Sequence, residues 1–442
     1  MRLPAYVARA VDTLECAGYE TWAVGGCVRD SLMGRTPHDF DLCTAARPEE
    51  MQAVFAGARL LETGLRHGTL TLLTADGPVE ITTFRADGDY ADGRHPNSVR
   101  FVRCVEDDLA RRDFTAGAMA WHPQRGLCDP FGGRDDLRRG VLRAVGDPDA
   151  RFAEDALRIL RAVRFVSQLG FAVEGQTAAA MRRQQGRLAC IAPERVRTEL
   201  TGTLCGRFAC RALMQYADVL FTVLPELRPM YACAQQNPHH LYDVWEHSVR
   251  AVGQVAAEPV LRWAMLLHDC GKPACKTVDE SGIGHFYGHP DVSRAIAAGL
   301  LRRLRFSGQE QDEIGLLVEQ HDRPLGDSAK LVRRRLTQLG ETNFRRLLAI
   351  KKGDAVGQGT HPDNVGALWE TEALLNQTLA ADACLSLRQL AVDGRDMLAL
   401  GLRGPAVGEM LRALLDAVVD QTTENTAGAL LALARARMEE RK

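Results

Sequence analysis

Two aspartates, Asp39 and Asp41, flank Phe40 in the stretch VGGCVRDSLMGRTPHDFDL, residues 24–42. Side chains at i and i+2 of an extended strand share a face. The spacing therefore predicts two carboxylates side by side, with Phe40 turned into the core. Such carboxylates repel one another, and divalent cations between them would resolve the repulsion. Hard cations such as Mg²⁺ prefer oxygen ligands and bridge to phosphates. A pair of ions clamps the attacking and leaving oxygens of a phosphoryl or nucleotidyl transfer. Gly25 and Gly26 carry no Cβ, so backbone N–H groups there can approach a triphosphate. Glu80, in VEITTFR at 79–85, adds a third carboxylate on a neighbouring strand. It would complete the metal site or position an attacking hydroxyl, although an exposed strand glutamate reads the same way.

A second constellation suits different chemistry. His247 lies in YDVWEHSVRAV, and His268 adjoins Asp269 in LLHDCGKP. His285 and His289 sit in HFYGHP, His321 in VEQHD and Asp354 in KKGDAV. Most of the chain's 12 histidines fall in this one region, which scattered core histidines would not do. Imidazole and carboxylate together suit first-row divalent transition metals, and a metal there would acidify water for phosphoester hydrolysis.

Elements must position these groups. Residues 1–20 read as a helix leading into a strand at 21–26, with further strands at 39–43, 68–75 and 78–85. That pattern predicts a small mixed sheet with helices. From about residue 146 helical periodicity dominates, and FAEDALRILRAVRFVSQLG reads as one amphipathic helix ended by Gly170. The expected fold class is α+β: a mixed-sheet head over 1–145, then helical segments over 146–238, 239–355 and 356–442. The 442 residues allow two to four domains.

Composition narrows the classes. The chain is 46% hydrophobic and 25% charged, ordinary for a soluble globular protein. No apolar run reaches a membrane span. The N-terminus has helical spacing interrupted by Glu15 and Glu20, unlike a signal peptide. A cytoplasmic location with no membrane partner is expected. Twelve cysteines contain no C-x-x-C pair and read as buried, reduced thiols. Net charge is −2, but 151–211 carries a net +6 and 330–352 a net +7. Those segments are the expected places for phosphate-backbone contacts.

The Gly-Gly, Arg-Asp and Asp-x-Asp spacing, with the segments below, resembles the class II nucleotidyltransferases of the polymerase-beta superfamily. These are the CCA-adding tRNA nucleotidyltransferases and bacterial poly(A) polymerases. The resemblance covers nearly the whole chain, and it is most specific in the head and the segment after it. It implies a polymerase-beta-like head in which Asp39 and Asp41 hold Mg²⁺ and Glu80 assists. Gly25, Gly26, Arg29 and Asp30 would then bind the nucleotide. RRDFTAGAMA, 111–120, resembles the family's second signature, so Arg111, Arg112 and Asp113 would touch ribose and phosphates. Gly117 stands where the family usually has Asn, which puts the fine nucleotide contacts in doubt. FRADGDYADGRHPNSVRF, 84–101, resembles the loop that helps these enzymes change from CTP to ATP. It carries Arg94-His95-Pro96 where Arg-Arg-Pro is usual. DPFGGRDDL, 129–137, resembles a third signature, with Asp136 tying the head to the next segment.

EDALR, 154–158, resembles the family's amino-acid template. Asp155 and Arg158, three apart on a helix, share a face. They would read the amino group and acceptors of cytosine or adenine, although a surface ion pair has the same spacing. Arg161 and Arg164 continue that helix as nucleotide-binding candidates. Glu194, Arg195 and Glu199, in PERVRTEL, would brace it. Residues 401–420 resemble the tail that clamps tRNA. His247, His268, Asp269, His289, His321 and Asp354 resemble the ligand set of the HD phosphohydrolase superfamily. That implies a divalent transition metal and a 2′,3′-cyclic phosphodiesterase or phosphatase activity.

The expected activity is addition of CCA to the tRNA 3′ end from CTP and ATP, with release of pyrophosphate. Three alternatives remain at this level. One is a poly(A) polymerase or an enzyme adding only A. Another is an HD phosphohydrolase with a degenerate RNA-binding head. The third is a non-enzymatic tRNA scaffold, against which two intact acidic and histidine clusters argue.

Overall fold

The computed structural model describes residues 1–65, 68–87, 99–360, 365–381 and 384–440. The chain divides into two compact units, Met1–Pro225 and Glu226–Lys442.

In the first unit, α1 (Ala5–Cys16) buries Val7, Ala10, Val11 and Leu14, the i, i+3, i+4, i+7 stripe of an amphipathic helix. There follow β1 (Thr21–Val24), α2 (Gly26–Leu32), β2 (Asp41–Thr44), α3 (Pro48–Val54), β3 (Arg59–Gly64), β4 (Thr69–Thr74) and β5 (Gly77–Thr83). A ribbon of β6 (Arg85–Asp87) and β7 (Val99–Phe101) precedes α4 (Val105–Ala110), β8 (Ala120–His122), β9 (Gly126–Cys128) and α5 (Gly133–Arg139). The main sheet has seven strands in the order β3-β4-β5-β2-β1-β8-β9. Only the β2–β5 pairing within it is parallel. Strand alternation sends Ala23, Leu42 and Ile81 into one core, which Phe40 joins from the segment before β2. Trp22, Val24, Cys43 and Phe84 enter another.

The mixed-sheet head therefore holds, with corrections. The second strand begins at Asp41, and Asp39 sits on the exposed segment before it. The two aspartates do not share a strand. Strands β3, β8 and β9 escape the sequence reading: β8 and β9 span three residues each, and β3, RLLETG, lacks a β-branched run.

A short parallel pair, β10 (Val141–Leu142) with β11 (Ala172–Val173), ties the sheet region to α6 (Pro148–Glu154), α7 (Leu157–Leu169), α8 (Gly175–Gln184), α9 (Pro193–Leu204), α10 (Ala209–Gln215) and α11 (Ala217–Val223). The single helix expected over 152–170 is two. Asp155 leaves helical geometry at φ −144°, ψ 104°, and its carboxylate accepts the Leu157 N–H at 3.0 Å. Aspartate competes for backbone donors in this way, which is why it starts helices better than it continues them.

The second unit comprises α12 (Val244–Gln254), α13 (Pro259–Leu267), α14 (Lys272–Cys275), the hairpin β12 (Thr277–Val278) and β13 (Gly284–His285), α15 (His289–Arg303), α16 (Gly308–Gln320) and α17 (Ala329–Gly357). It closes with α18 (Gly366–Ala380), α19 (Gly394–Ala399), α20 (Pro405–Val419) and α21 (Ala427–Glu439). Helix α17 breaks at Gly340, whose φ of 72° is left-handed. Met397, Met410, Leu414 and Leu430 form a separate core near the C-terminus.

The basic runs are less free than their charge suggests. Arg161 pairs with Asp113, Arg164 with Glu199, Arg182 with Asp218 and Arg183 with Asp149. In the second run Arg334 pairs with Asp420, Arg345 with Glu341, Arg346 with Glu258 and Glu313, and Lys352 with Glu372. None of the twelve cysteines, all among the described residues, is in a disulfide, but only Cys27, Cys43 and Cys270 are buried, a correction to the expectation of buried thiols. Among the described residues no helix is long and apolar enough to cross a membrane.

Candidate active site and a second side-chain cluster

A cavity of about 560 Å³ opens in the first unit where the end of β1 and the start of β2 meet α7. Gly25, Gly26, Arg29, Asp41, Glu80, Arg111, Arg112, Asp113, Asp155, Arg158 and Arg161 line it. Asp41 and Glu80 are register partners on the parallel pair β2–β5, so both carboxylates start from the same level of adjacent strands. Burial raises the Asp41 carboxyl above its ordinary range, and Glu80 and Asp39 add to this while Arg112 opposes it. Asp41 and Glu80 offer adjacent carboxylate oxygens, the donor type that a hard divalent cation takes. Asp39, Asp30 and Arg164, all predicted site residues, do not line the cavity. Asp30 is held by Arg29 at 2.8 and 3.1 Å.

Gly25 has φ 73°, and a Cβ there would lie 2.9 Å from Arg112 Nη1. Its absence lets the arginine approach the turn. The Gly25 N–H donates to the Met119 carbonyl at 3.3 Å. It is thus not the open donor toward a triphosphate that the sequence suggested.

Sequence reasoning missed Asp108. Its side chain is fully buried in the first turn of α4. Oδ1 accepts from Arg111 Nε at 3.0 Å and Nη2 at 2.9 Å, and from the Arg85 N–H at 3.3 Å. Oδ2 accepts from Arg112 Nη2 at 3.2 Å. Burial pushes this carboxyl up, but Arg111 and Arg112 more than offset it and hold it below its ordinary value. One acid therefore fixes both guanidinium groups of the RRDF segment. The signal was present in VEDDLARRDF, where an acid lies three and four residues before the arginines. Asp108→Asn removes the charge and keeps the shape. The KM for a phosphate-bearing ligand of this cavity should rise about tenfold to a hundredfold, the usual worth of hydrogen bonds to charged groups. Steady-state kinetics checks this at a temperature where the variant is still folded, since losing a carboxylate held below its ordinary value also lowers the melting temperature.

Asp155 and Arg158 both reach the cavity, each held by a partner of its own. Arg195 Nη2 donates to Asp155 at 2.7 Å. Arg158 donates to Glu154 at 2.5 Å and to the carbonyls of Arg151 and Arg111, both at 3.1 Å. The helix break at Asp155 means that they do not share a helical face, contrary to the sequence reading. Arg161 Nε donates to Asp113 at 2.6 Å, and Phe165 lies beneath Arg29, Arg161 and Arg164. A Cβ at Gly117 would find only Asp113 Oδ1, at 3.9 Å, so the missing asparagine leaves room beside Asp113. Asp136 accepts from Thr115 at 2.8 Å and from Arg143 at 3.1 Å. Both partners lie within 1–145, so it braces the head itself. Arg94, His95 and Pro96 lie outside the described residues.

The second unit gathers six side chains from separate elements. His247 comes from the middle of α12, and His268 with Asp269 from the end of α13. His289 opens α15, His321 ends α16 and Asp354 lies in α17. They form two triads, His247–His268–Asp354 and Asp269–His289–His321. Asp269 faces both. Its Oδ2 lies 3.3 Å from His247 Nε2 and 3.2 Å from His268 Nε2. Its Oδ1 lies 3.3 Å from His289 Nε2 and 3.7 Å from His321 Nε2. His285, named with the group in sequence, instead pairs with Asp279 at 2.7 Å on the hairpin.

Helix ends explain the tautomers. The Nδ1 atoms of His268, His289 and His321 lie 2.7–2.8 Å from the carbonyls of Met265, Phe286 and Val318. Carbonyls only accept, so Nδ1 carries the hydrogen and Nε2 presents a lone pair, as a metal ligand must. The His289 and His321 Nε2 atoms then face each other at 3.2 Å, and a cation between them removes the repulsion. Burial opposes charge on His268, yet Asp269 and Asp354 push it up to about 10 in the absence of metal, so an ion binding at its Nε2 displaces a proton there. The donor set thus attracts positive charge and fits first-row divalent ions.

Three family models match the chain. They are the poly A polymerase head domain over 21–143, the probable RNA and SrmB-binding site of polymerase A over 170–230, and the putative tRNA nucleotidyltransferase domain 2 over 285–434. The chain is 34% identical to the CCA-adding enzyme of Geobacillus stearothermophilus, covering 94% of this chain and 92% of that one. It is also 34% identical to the CCA-adding enzyme of Lactiplantibacillus plantarum, covering 98% and 97%. The crystal structure of the Bacillus stearothermophilus CCA-adding enzyme in complex with CTP matches with a TM-score of 0.75 at 30% identity. That match covers 100% of this chain and 99% of that one.

Proposed function

The chain belongs to the family of CCA-adding enzymes, and from that premise we propose how its own residues build the tRNA 3′ end from CTP and ATP. The terminal ribose 3′-hydroxyl attacks the α-phosphorus, a new P–O bond forms, and pyrophosphate leaves. Asp41 and Glu80, with Asp39 beside them, would hold Mg²⁺. When bound, that ion supplies charge neutralisation at the transferring phosphate. Arg111 and Arg112, fixed by Asp108, meet the triphosphate, and Asp113 remains able to accept a ribose hydroxyl. Asp155 and Arg158 meet the base edge. One observation carries this reading: the register-matched Asp41 and Glu80, the clamped arginines and the Asp155–Arg158 pair line a single cavity. Catalysis is then positioning plus electrostatics.

Incubation with tRNA lacking CCA and each labelled nucleotide tests it. Two C residues followed by one A are expected; A alone, or a run of A, would point to the sister activities. Because Arg195 holds Asp155 in place, Arg195→Ala should let the carboxylate swing. Discrimination against UTP and GTP should fall about tenfold, with less effect on kcat for CTP. Competition assays with paired nucleotides read this out.

A second reading concerns the other unit, and the facing Nε2 lone pairs of His289 and His321 favour it. We propose that His247, His268, Asp269, His289, His321 and Asp354 hold two divalent transition-metal ions, with Asp269 shared between them. Bound there, such ions supply Lewis acidity and an acidified water for phosphoester hydrolysis. The chain's own contribution is the fixed tautomers and the shared carboxylate.

A further inference from the structure

The cavity of the first unit has two kinds of wall. The RRDF segment and α7 bring guanidinium groups, from Arg111, Arg112, Arg158 and Arg161. The sheet brings Thr69, Glu80 and Thr82 beside Asp41. On β5, alternation sends Val79 and Ile81 into the core and turns Glu80 and Thr82 to the cavity. Thr69 on β4 is the register partner of Thr82, and their hydroxyl oxygens lie 2.9 Å apart. Other threonines of the sheet use their hydroxyls within the fold. Thr21 Oγ1 lies 2.9 Å from both Thr44 Oγ1 and the Tyr19 carbonyl, and Thr83 donates to the Ala46 carbonyl at 2.7 Å. Thr21, Thr44 and Thr83 are fully buried, whereas Thr69 and Thr82 are half-buried. Two hydroxyls carry two hydrogens and four lone pairs, and the bond between them uses one of each. Among the described residues neither hydroxyl of the Thr69–Thr82 pair has a further partner, so a donor and acceptors remain for a ligand in the cavity.

Charge decides what this part of the cavity takes. A phosphate is drawn to the guanidinium groups and repelled by Glu80, whereas an uncharged hydroxyl bonds to a threonine without that repulsion. In nucleotidyl transfer the uncharged reactant is the ribose at the RNA end, with neighbouring 2′- and 3′-hydroxyls. Side chains at i and i+2 stand about 6.7 Å apart along a strand. The two oxygens of such a diol, with a hydrogen bond of about 2.8 Å beyond one of them, cover that span. The 3′-oxygen can therefore stand at the carboxylates while the 2′-oxygen meets Thr82. We infer that Thr82, braced by Thr69, binds the 2′-hydroxyl of the terminal ribose and selects an RNA end over one without that hydroxyl. The inference rests on the nucleotidyl-transfer reading above and adds to it the residue that reads the sugar of the acceptor. Thr82 is specificity-determining and Thr69 is a positioning residue. The 2′-hydroxyl takes no part in the bond exchange.

The test uses tRNA ending at the second C, with either a 2′-hydroxyl or a 2′-fluoro group on the terminal ribose, and follows addition of A from ATP by the full chain. Fluorine keeps the electron withdrawal that acidifies the neighbouring 3′-hydroxyl but donates no hydrogen bond. Wild type should use the hydroxyl end about tenfold better than the fluoro end in kcat/KM, the worth of one hydrogen bond. Thr82→Val should bring the two ends level by slowing the hydroxyl end, with KM for ATP unchanged. Thr82→Ser should keep the preference. Thr69→Val, which loses the brace alone, should narrow the gap and serves in place of Thr82→Val if that variant does not fold. Each preference is a ratio within one variant, so a smaller folded fraction does not move it. Equal use of both ends by wild type, or a tenfold gap kept by Thr82→Val or by Thr69→Val in its place, would overturn the inference and leave nucleotide addition standing. Should wild type extend neither end, the transfer reading falls with it.

Discussion

Asp41→Asn will reduce nucleotide addition by about 10³-fold while tRNA binding stays intact. The magnitude is that of removing one preorganised electrostatic group from a reaction centre. The asparagine keeps the size of the side chain and loses its charge, so the donor set facing the triphosphate weakens without a change in packing. Stability should move the other way. The folded-state pKa of Asp41 is raised, by burial first and then by Glu80 and Asp39. A carboxyl whose pKa is raised on folding costs the fold stability above its unfolded pKa and regains it as pH falls. Asp41→Asn removes that cost, so without Mg²⁺ the variant should melt no lower than wild type at pH 7. Loss of single-turnover addition with an unchanged or higher Tm is the expected pair of results. A variant that keeps its rate would remove Asp41 from the reaction centre.

The same residue shows what the sequence could and could not reveal. Phe40 reads as core and is core, although it enters from the segment before β2 and not from the strand itself. The strand carrying Glu80 was likewise legible from its β-rich run, but its register with Asp41 was not, since register is a pairing between distant segments. Asp155 shows a local rule overlooked: its carboxylate takes the Leu157 N–H and breaks a helix that periodicity alone continues. Asp108 was missed because a buried acid on a short helix resembles any charged residue until its two arginines fold back on it. The cluster in the second unit was readable as a set of ligand types. Its division into two triads was not, for that depends on Asp269 turning one oxygen toward each.

That division leads to the second large effect. Asp269→Ala should abolish Mn²⁺ or Ni²⁺ retention in the second unit, because both triads lose the carboxylate they face in common. His289→Ala should spare the ion at His247, His268 and Asp354 and lose the other. Metal content per chain, measured after desalting, should then fall from two to none and from two to one. Asp269→Ala also leaves Lys272, only 8% exposed at its side chain, without its carboxylate. Stranding one member of a buried pair costs about 3–5 kcal/mol, so the apo variant should melt well below wild type. Lys272→Met on that background removes the stranded charge and should recover most of the loss without restoring metal. Recovery of stability alone would separate the ion-pair role of Asp269 from its ligand role, whereas metal retained by Asp269→Ala would show that the two triads do not share it. Since Asp41 and Glu80 belong to the other unit, the rate of nucleotide addition at saturating tRNA should be unchanged in all three variants.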